Sequence, residues 1–245
     1  LNRVGIVCAL GLEARHLCAQ LPAPRTVSML SDGSLLTVSG MGAAAAARGA
    51  RALLAAGATA LASWGTAGGL DPALGAGAII LPDEVMAAGG ATVATSRAWR
   101  DQLYPSLTAL QPVIRGRLLS GTPVIASVAE KSALFAATGA LAVDMESAAV
   151  AAETCARRLP FIAVRVVVDR AGDALPRSVG VAADGDGRLR LWRLLGALAL
   201  APADLLLLPG LARRYRAASR GLAALAAVSL QEAYAAAVAV QAHGP

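Results

Sequence analysis

Short aliphatic or β-branched runs alternate along this chain with longer alanine-rich stretches of helical period, and glycine clusters separate them. Residues 3–9 read as a buried strand and 12–20 as the helix behind it. Residues 26–30 and 35–39 form a hairpin across Ser31-Asp32-Gly33-Ser34, because Asp-Gly suits a tight primed turn. Gly40-Met41-Gly42 opens an alanine-rich helix over 43–56 that Gly57 ends. A strand over 60–64 runs into Gly65-Thr66-Ala67-Gly68-Gly69, and residues 78–81 supply another. Residues 86–112, small and polar with Trp99, Tyr104, Pro105 and Pro112, read as a loop region carrying one short helix. Beyond them come strand 117–119, the turn Ser120-Gly121-Thr122-Pro123, helix 129–137, strand 140–143, helix 145–158 and strand 161–168.

Strands alternating with helices predict a three-layer α/β/α fold around a mixed, largely parallel sheet. After Asp169 the pattern changes to a Gly, Pro and Asp-rich loop over 173–187 and helical patterns near 189–200, 203–218 and 222–240. The division expected is a catalytic domain over 1–176 and a C-terminal helical extension over 177–245, packed on it or facing a membrane.

Composition narrows this picture. The length of 245 residues suits one α/β domain with an appendage better than two equal domains. A 56% hydrophobic content with only 3% aromatic suits tight helix-on-sheet packing and equally a membrane-adjacent protein. The most apolar region, 194–212, is interrupted by Pro202, Asp204, Pro209 and Gly210, whereas a spanning helix needs ~20 mainly apolar residues. The first residues read as a strand rather than a signal peptide, because Glu13, Arg15 and His16 follow too soon. Cys8, Cys18 and Cys155 are odd in number and lack CxxC spacing, so no disulfide framework and no metal site is expected, and a reducing cytoplasm fits. The net charge of +6 comes almost wholly from arginine, with Lys131 the only lysine, a bias read as compositional rather than mechanistic. Nucleic-acid binding is disfavoured, since the arginines lie among leucines and stacking residues are scarce.

Three motifs carry candidate chemistry. Gly40-x-Gly42-x-x-Ala45, between a strand and a helix, matches a relaxed dinucleotide fingerprint, yet residues 58–68 lack the acidic partner expected ~20 positions on. The same glycines also suit close helix packing, or an anion or sugar cradled at a helix N-terminus. Gly65-Thr66-Ala67-Gly68-Gly69 ends a strand, where small residues let backbone amides approach a ligand and leave one hydroxyl, Thr66, facing a crevice; an ordinary turn reads the same way. The third motif is a set of carboxylates costly to bury in so apolar a chain: Glu13, Asp144 and Glu146 in Val143-Asp144-Met145-Glu146, and Asp169 at the end of an apolar run. Asp144 and Glu146 also suit helix capping, and Glu146 is the one expected to turn toward a ligand.

Taken together, these residues resemble the superfamily of purine nucleoside phosphorylases and methylthioadenosine/S-adenosylhomocysteine nucleosidases. The resemblance spans residues 4–173 through Val4-Gly5-Ile6-Val7 with Glu13, Ser39-Gly40-Met41-Gly42, Gly65-Thr66-Ala67-Gly68-Gly69-Leu70, Ser120-Gly121, Val143-Asp144-Met145-Glu146 and Val164-Arg165 to Asp169. The stretch 167–176 and the basic, leucine-rich tail look most like the hopanoid-associated phosphorylases, which remove adenine from adenosylhopane. The resemblance implies a nucleoside phosphorylase-like fold and cleavage of an N-glycosidic bond by water or phosphate, without a cofactor. It implies that Asp169 protonates the purine, Glu146 binds sugar hydroxyls, Met145 packs under the sugar and Glu13 activates water. Thr66, Ala67 and Gly68 fall at the family's small hydroxyl residue and backbone contact, and Ile125 at a base contact.

The departures are specific. Val124 stands where nucleosidases carry a stacking phenylalanine, Val168 where a serine supports the acid, and Ser63 where hexameric phosphorylases carry a phosphate-binding arginine. Gly42, Arg15 and Arg48 are the remaining candidates for a phosphate or water site. The expected partner is a purine nucleoside, lipid-linked if the hopanoid resemblance holds, and a homo-oligomer is expected. The leucines and arginines of 188–195 and 205–216 suit two amphipathic helices on an anionic bilayer at the inner face of the membrane, or helices packing on the core or a second subunit. The alternatives are an NAD(P)-dependent oxidoreductase and a non-enzymatic membrane-surface module whose carboxylates are caps.

Overall fold

A computed structural model describes residues 2–122, 124–174 and 208–243. Strand β1 (Val4–Cys8) is buried along its whole length and lies between two parallel neighbours, β3 (Leu35–Val38) and β4 (Ala60–Gly69). Its side chains alternate between faces, as the period of a strand requires. Val4, Ile6 and Cys8 join a core with Trp99, Leu222 and Leu225, and Val7 joins a second core with Ala46, Ala50, Leu53 and Val150. The two clusters mark the two faces of a mixed sheet, parallel through its centre and covered by helices on both sides, as expected.

β2 (Val27–Met29) pairs antiparallel with β3 and closes one edge. β11 (Phe161–Asp169) runs parallel to β4 on its other side and continues through β5 (Ile79–Ile80) to β8 (Val113–Ile114). The far end of β4 branches, pairing antiparallel with β10 (Ala142–Asp144), which leads to β9 (Arg117–Ser120), β6 (Glu84–Ala87) and β7 (Thr92–Ala94). The glycine motif at 65–69 is therefore strand rather than a turn after one: the missing side chains let β10 and β11 close on β4 together.

One face carries α2 (Ala43–Ala55) and α5 (Ser147–Cys155). The other carries α3 (Arg97–Thr108), α6 (Leu208–Ala226) and α7 (Leu230–His243), while α1 (Gly11–Ala14) and α4 (Val128–Thr138) flank the strand ends.

Several boundaries differ from expectation for physical reasons. The region 86–112, read as a loop with one short helix, holds that helix as three full turns and two strands besides. Trp99, Leu103 and Leu107 of α3 form a buried stripe, and the Trp99 indole donates to the Leu230 carbonyl and lies 4.9 Å from the Tyr234 ring, partners remote in sequence. The first helix stops at Ala14 instead of residue 20. The expected break between helices at 218–222 is absent: α6 runs through Gly221, where a Cβ would meet the Gly77 carbonyl at 2.7 Å, so this glycine serves close packing on the sheet. The break comes at Ser229, whose hydroxyl caps α7 by accepting from the Glu232 amide.

The C-terminal helices share the main core. Ala218, Leu222, Leu225, Leu230, Ala233 and Tyr234 are all buried in it, and Gln231 accepts a hydrogen bond from the Val4 amide and donates to the Asn2 carbonyl. Among the described residues, no single helix is long and apolar enough to cross a membrane. The pattern over 189–200 lies outside the described residues.

Candidate active site

The carboxyl ends of β4, β10 and β11 converge, and the segments after β1 and before α2 close over them. Asp169 sits in register with Gly68 after an irregularity past Val167, which sets its side chain across the glycine floor of β4. Together these segments enclose a cavity of about 180 Å³. Of the residues singled out from the sequence, Glu13, Thr66, Ala67, Gly68, Val124, Ile125, Asp144, Met145, Glu146 and Asp169 all line it. Gly42 reaches it through Glu146, as described below. Arg15 and Arg48 are exposed and do not line it.

Glu13 is buried, and its Oε1 accepts from both the Thr66 amide at 2.8 Å and the Thr66 hydroxyl at 2.7 Å. Its Oε2 accepts from the Leu10 amide at 3.2 Å. A Cβ on Gly65 would lie 2.7–2.8 Å from the Glu13 carboxylate, so glycine at 65 makes the space this side chain occupies. Burial pushes the Glu13 carboxyl above its ordinary value, against the hydrogen bonds from Thr66 and the more distant Arg165.

Asp144 and Glu146 divide the two tasks their segment offers. Asp144 caps α5: its Oδ1 accepts from the Glu146 and Ser147 amides, and its Oδ2 from the Ser147 hydroxyl and Arg165 Nε at 2.7 Å. The buried Arg165 guanidinium also donates to the hydroxyls of Ser63 and Ser147, so Ser63 belongs to this internal network. Glu146 is the last non-helical residue, with φ −124° and ψ −38°, which starts α5 at Ser147 rather than 145. Its Oε1 accepts from the Gly42 amide at 2.7 Å. Gly42 has φ +88°, a conformation glycine adopts without strain, and its amide is thereby committed to a carboxylate rather than open to a pyrophosphate. Burial, and then the neighbouring Asp144 charge, push the Glu146 carboxyl up to about 7, against the Gly42 hydrogen bond and Arg165.

Asp169 is 1% exposed and pairs with Lys131 of α4, which is itself fully buried. The lysine also donates to the carbonyls of Arg170 and Asp173, each at 2.9 Å. Burial raises the Asp169 carboxyl above its ordinary range, and Lys131 counters it.

Sequence reasoning passed over Lys131, Arg165 and Thr122. The signal for Lys131 was its singularity in an arginine-rich chain; for Arg165 it was a charge inside an otherwise apolar strand. The Thr122 hydroxyl is buried at the cavity with no hydrogen-bond partner among the described residues, and nothing in its sequence context marks it. Among the described residues no cluster of three His, Cys, Asp or Glu side chains is arranged to hold a metal ion.

The cavity therefore has four carboxylates in its lining, of which Asp144 is held by Arg165 while Glu13, Glu146 and Asp169 stand in different environments around one small ligand. The family model of the phosphorylase superfamily matches residues 3–189. No curated protein matches this sequence. Among solved structures, the chain is similar to the 5'-methylthioadenosine/S-adenosylhomocysteine nucleosidase of S. pneumoniae bound to a transition-state inhibitor, with 18% identity and a TM-score of 0.64 over 91% of this chain and 98% of that one. It is also similar to the S-adenosylhomocysteine nucleosidase of Streptococcus pyogenes, at 21% identity and a TM-score of 0.61, covering 70% of this chain and 85% of that one. The futalosine hydrolase of Helicobacter pylori gives 17% identity and a TM-score of 0.63 over 82% and 96% of the two chains.

Proposed function

This chain belongs to the phosphorylase superfamily, and from that premise we propose that it cleaves the N-glycosidic bond of a purine nucleoside with water as the nucleophile. The observation that carries the reading is the convergence of Glu13, Glu146 and Asp169 on one cavity whose described lining contains no lysine or arginine. A phosphate nucleophile needs cationic or amide donors. Here the Gly42 amide is held by Glu146, and Arg165 is held by Asp144.

The bond breaks through a state with positive charge on the ribose and negative charge moving onto the purine, so catalysis consists in stabilising both. Asp169, raised by burial, holds or shares a proton with the purine nitrogen and makes the base a better leaving group. Glu146 accepts hydrogen bonds from the sugar hydroxyls, and its charge favours the oxocarbenium-like state. Met145 packs against the sugar. Glu13, fixed by Thr66 and Leu10, takes a proton from the attacking water. Val124, 44% exposed, and Ile125 both line the cavity, so the base is held by aliphatic contact there rather than by a stacked ring.

The finer reading is adenine release from a nucleoside with a large apolar 5' substituent, such as adenosylhopane. Its support is the sequence at 167–176 and the leucine-rich tail, most of which lies outside the described residues, together with the apolar lining from Leu10, Met41 and Met145. We further propose a homo-oligomer, in which the leucines and arginines of 188–195 and 205–216 meet a membrane or a second subunit. Incubating the protein with adenosine-type nucleosides, with and without phosphate, tests the reading. Free ribose at a rate indifferent to phosphate is the expected outcome. Ribose 1-phosphate formed only with phosphate would replace hydrolysis by phosphorolysis, and absence of adenine from every nucleoside would end the assignment.

A further inference from the structure

The only lysine of the chain is buried beneath the candidate acid, and its surroundings explain why it is not an arginine. An ammonium has three donors, and Lys131 spends all three within the protein: on Asp169 Oδ2, on the Arg170 carbonyl and on the Asp173 carbonyl. A guanidinium is planar and longer, and cannot direct three protons to three converging oxygens from a fully enclosed position. Asp169 Oδ1 is left without a hydrogen-bond partner among the described residues, on a side chain that lines the cavity.

The two carbonyls that Lys131 holds are themselves fixed. Asp173 folds back to accept from the Arg170 amide at 2.9 Å and from Arg170 Nε at 3.1 Å. From the other side, Arg214 of α6 meets Asp173 Oδ1 at 3.2 Å. Arg214 lies beyond the residues that match the family model, so a helix outside that match buttresses the turn on which the lysine rests. Val168 occupies the position before Asp169 and brings no hydrogen-bonding side chain to it.

We infer that Lys131 is a positioning residue for the reaction: it locks Asp169 with one carboxyl oxygen engaged and the other presented to the purine, and Arg214 steadies it through Asp173. The inference rests on the nucleosidase reading above for the reaction that Asp169 serves. Among the described residues, the charged groups facing Asp169 are Lys131 from α4, Arg214 from α6, and Asp173 with Arg170 from the turn that follows it.

The test combines kinetics with a readout that does not need activity. In Lys131→Met and Lys131→Gln, adenine release should fall about 10- to 100-fold, less than the full loss of a general acid. The basic limb of the rate profile should move to higher pH, because removing a positive neighbour makes Asp169 hold its proton longer. Adding Asp169→Asn to either variant should cost no more than Asp169→Asn alone, since the two residues act as a unit. In parallel, the ¹³C carboxyl resonance of Asp169, identified by its loss in Asp169→Asn, should titrate at higher pH in whichever lysine variant folds. If wild-type protein releases no base, the reaction reading fails while the carboxyl titration still judges the lysine. An unmoved titration, or full activity with an unmoved limb, overturns the inference. So does a rate loss that adds in full to that of Asp169→Asn.

Discussion

Two buried acid–base pairs stand at neighbouring strand ends and look alike on first inspection: Asp144 with Arg165, and Asp169 with Lys131. All four side chains are buried. Asp144 has both oxygens occupied, by two backbone amides, the Ser147 hydroxyl and the guanidinium, and its partner bonds two further hydroxyls. Asp169 has one oxygen bound to lysine and the other facing space. Burial and pairing are thus common to a carboxylate that holds the structure and one that offers chemistry, and what separates them is unsatisfied hydrogen-bonding capacity turned toward a cavity.

Breaking the closed pair should give the largest effect. Arg165→Met leaves the buried Asp144 carboxylate without its charge partner, and removing one partner of a buried pair costs about 3–5 kcal/mol. Urea unfolding should show that loss directly, and a stability within 1 kcal/mol of wild type, roughly the scale of a surface pair, would mean that Asp144 is already well solvated. Breaking the open site should instead spare the fold. Asp169→Asn and Glu146→Gln should each leave a folded protein with base release reduced roughly 100-fold or more, the scale of lost acid or electrostatic catalysis. Near-native rates in both would erase the distinction between the pairs.

The sheet was largely legible because strands and glycine clusters announce themselves by local pattern, and the three carboxylates stood out as polar groups in apolar runs. What stayed hidden depends on contacts distant in sequence. Trp99 of α3 is explained only by Leu230 and Tyr234, and residues 86–112 therefore read as loop around one short helix. A helix break was expected between 218 and 222, and the reason for Gly221 within a continuous helix, the Gly77 carbonyl it makes room for, is remote in sequence. Lys131 sits in an ordinary amphipathic stretch, and only the fold brings it beneath Asp169, 38 positions later. Capping logic, being local, separated Asp144 from Glu146 as alternatives, and the network around Arg165 shows what decides between them.

The open site should also respond to pH. The Glu146 carboxyl stands near 7 in the folded protein against an ordinary 4.5, so folding favours its protonated form. That contribution is present in full below about 4.5 and is lost as pH rises to about 7, amounting to about 1–3 kcal/mol. Glu13 and Asp169, also raised by burial, act in the same sense. Unfolding of the ligand-free protein should thus need more urea at pH 5 than at pH 7.5, and Glu146→Gln should remove part of that slope. An unchanged slope in the variant would place the proton elsewhere.

The smallest effect sharpens the comparison at Glu13, whose carboxylate is intermediate between the two pairs: hydrogen-bonded on both oxygens, yet part of the cavity lining. Thr66→Val keeps the shape of the side chain and the 2.8 Å backbone bond while removing the 2.7 Å hydroxyl bond to Oε1. A hydrogen bond to a charged acceptor contributes about 1.5–3 kcal/mol, part of which relaxes into the bond that remains. Losing a donor that favours the ionised form raises Glu13 further, and a general base works only when ionised. The acidic limb of hydrolysis should therefore move to higher pH, with a loss of roughly 5- to 10-fold near neutrality that recovers at alkaline pH. A uniform loss at every pH would mean that Thr66 contacts the substrate itself, and no loss at all would take Glu13 out of the proton transfer and leave it, like Asp144, a carboxylate that holds the fold.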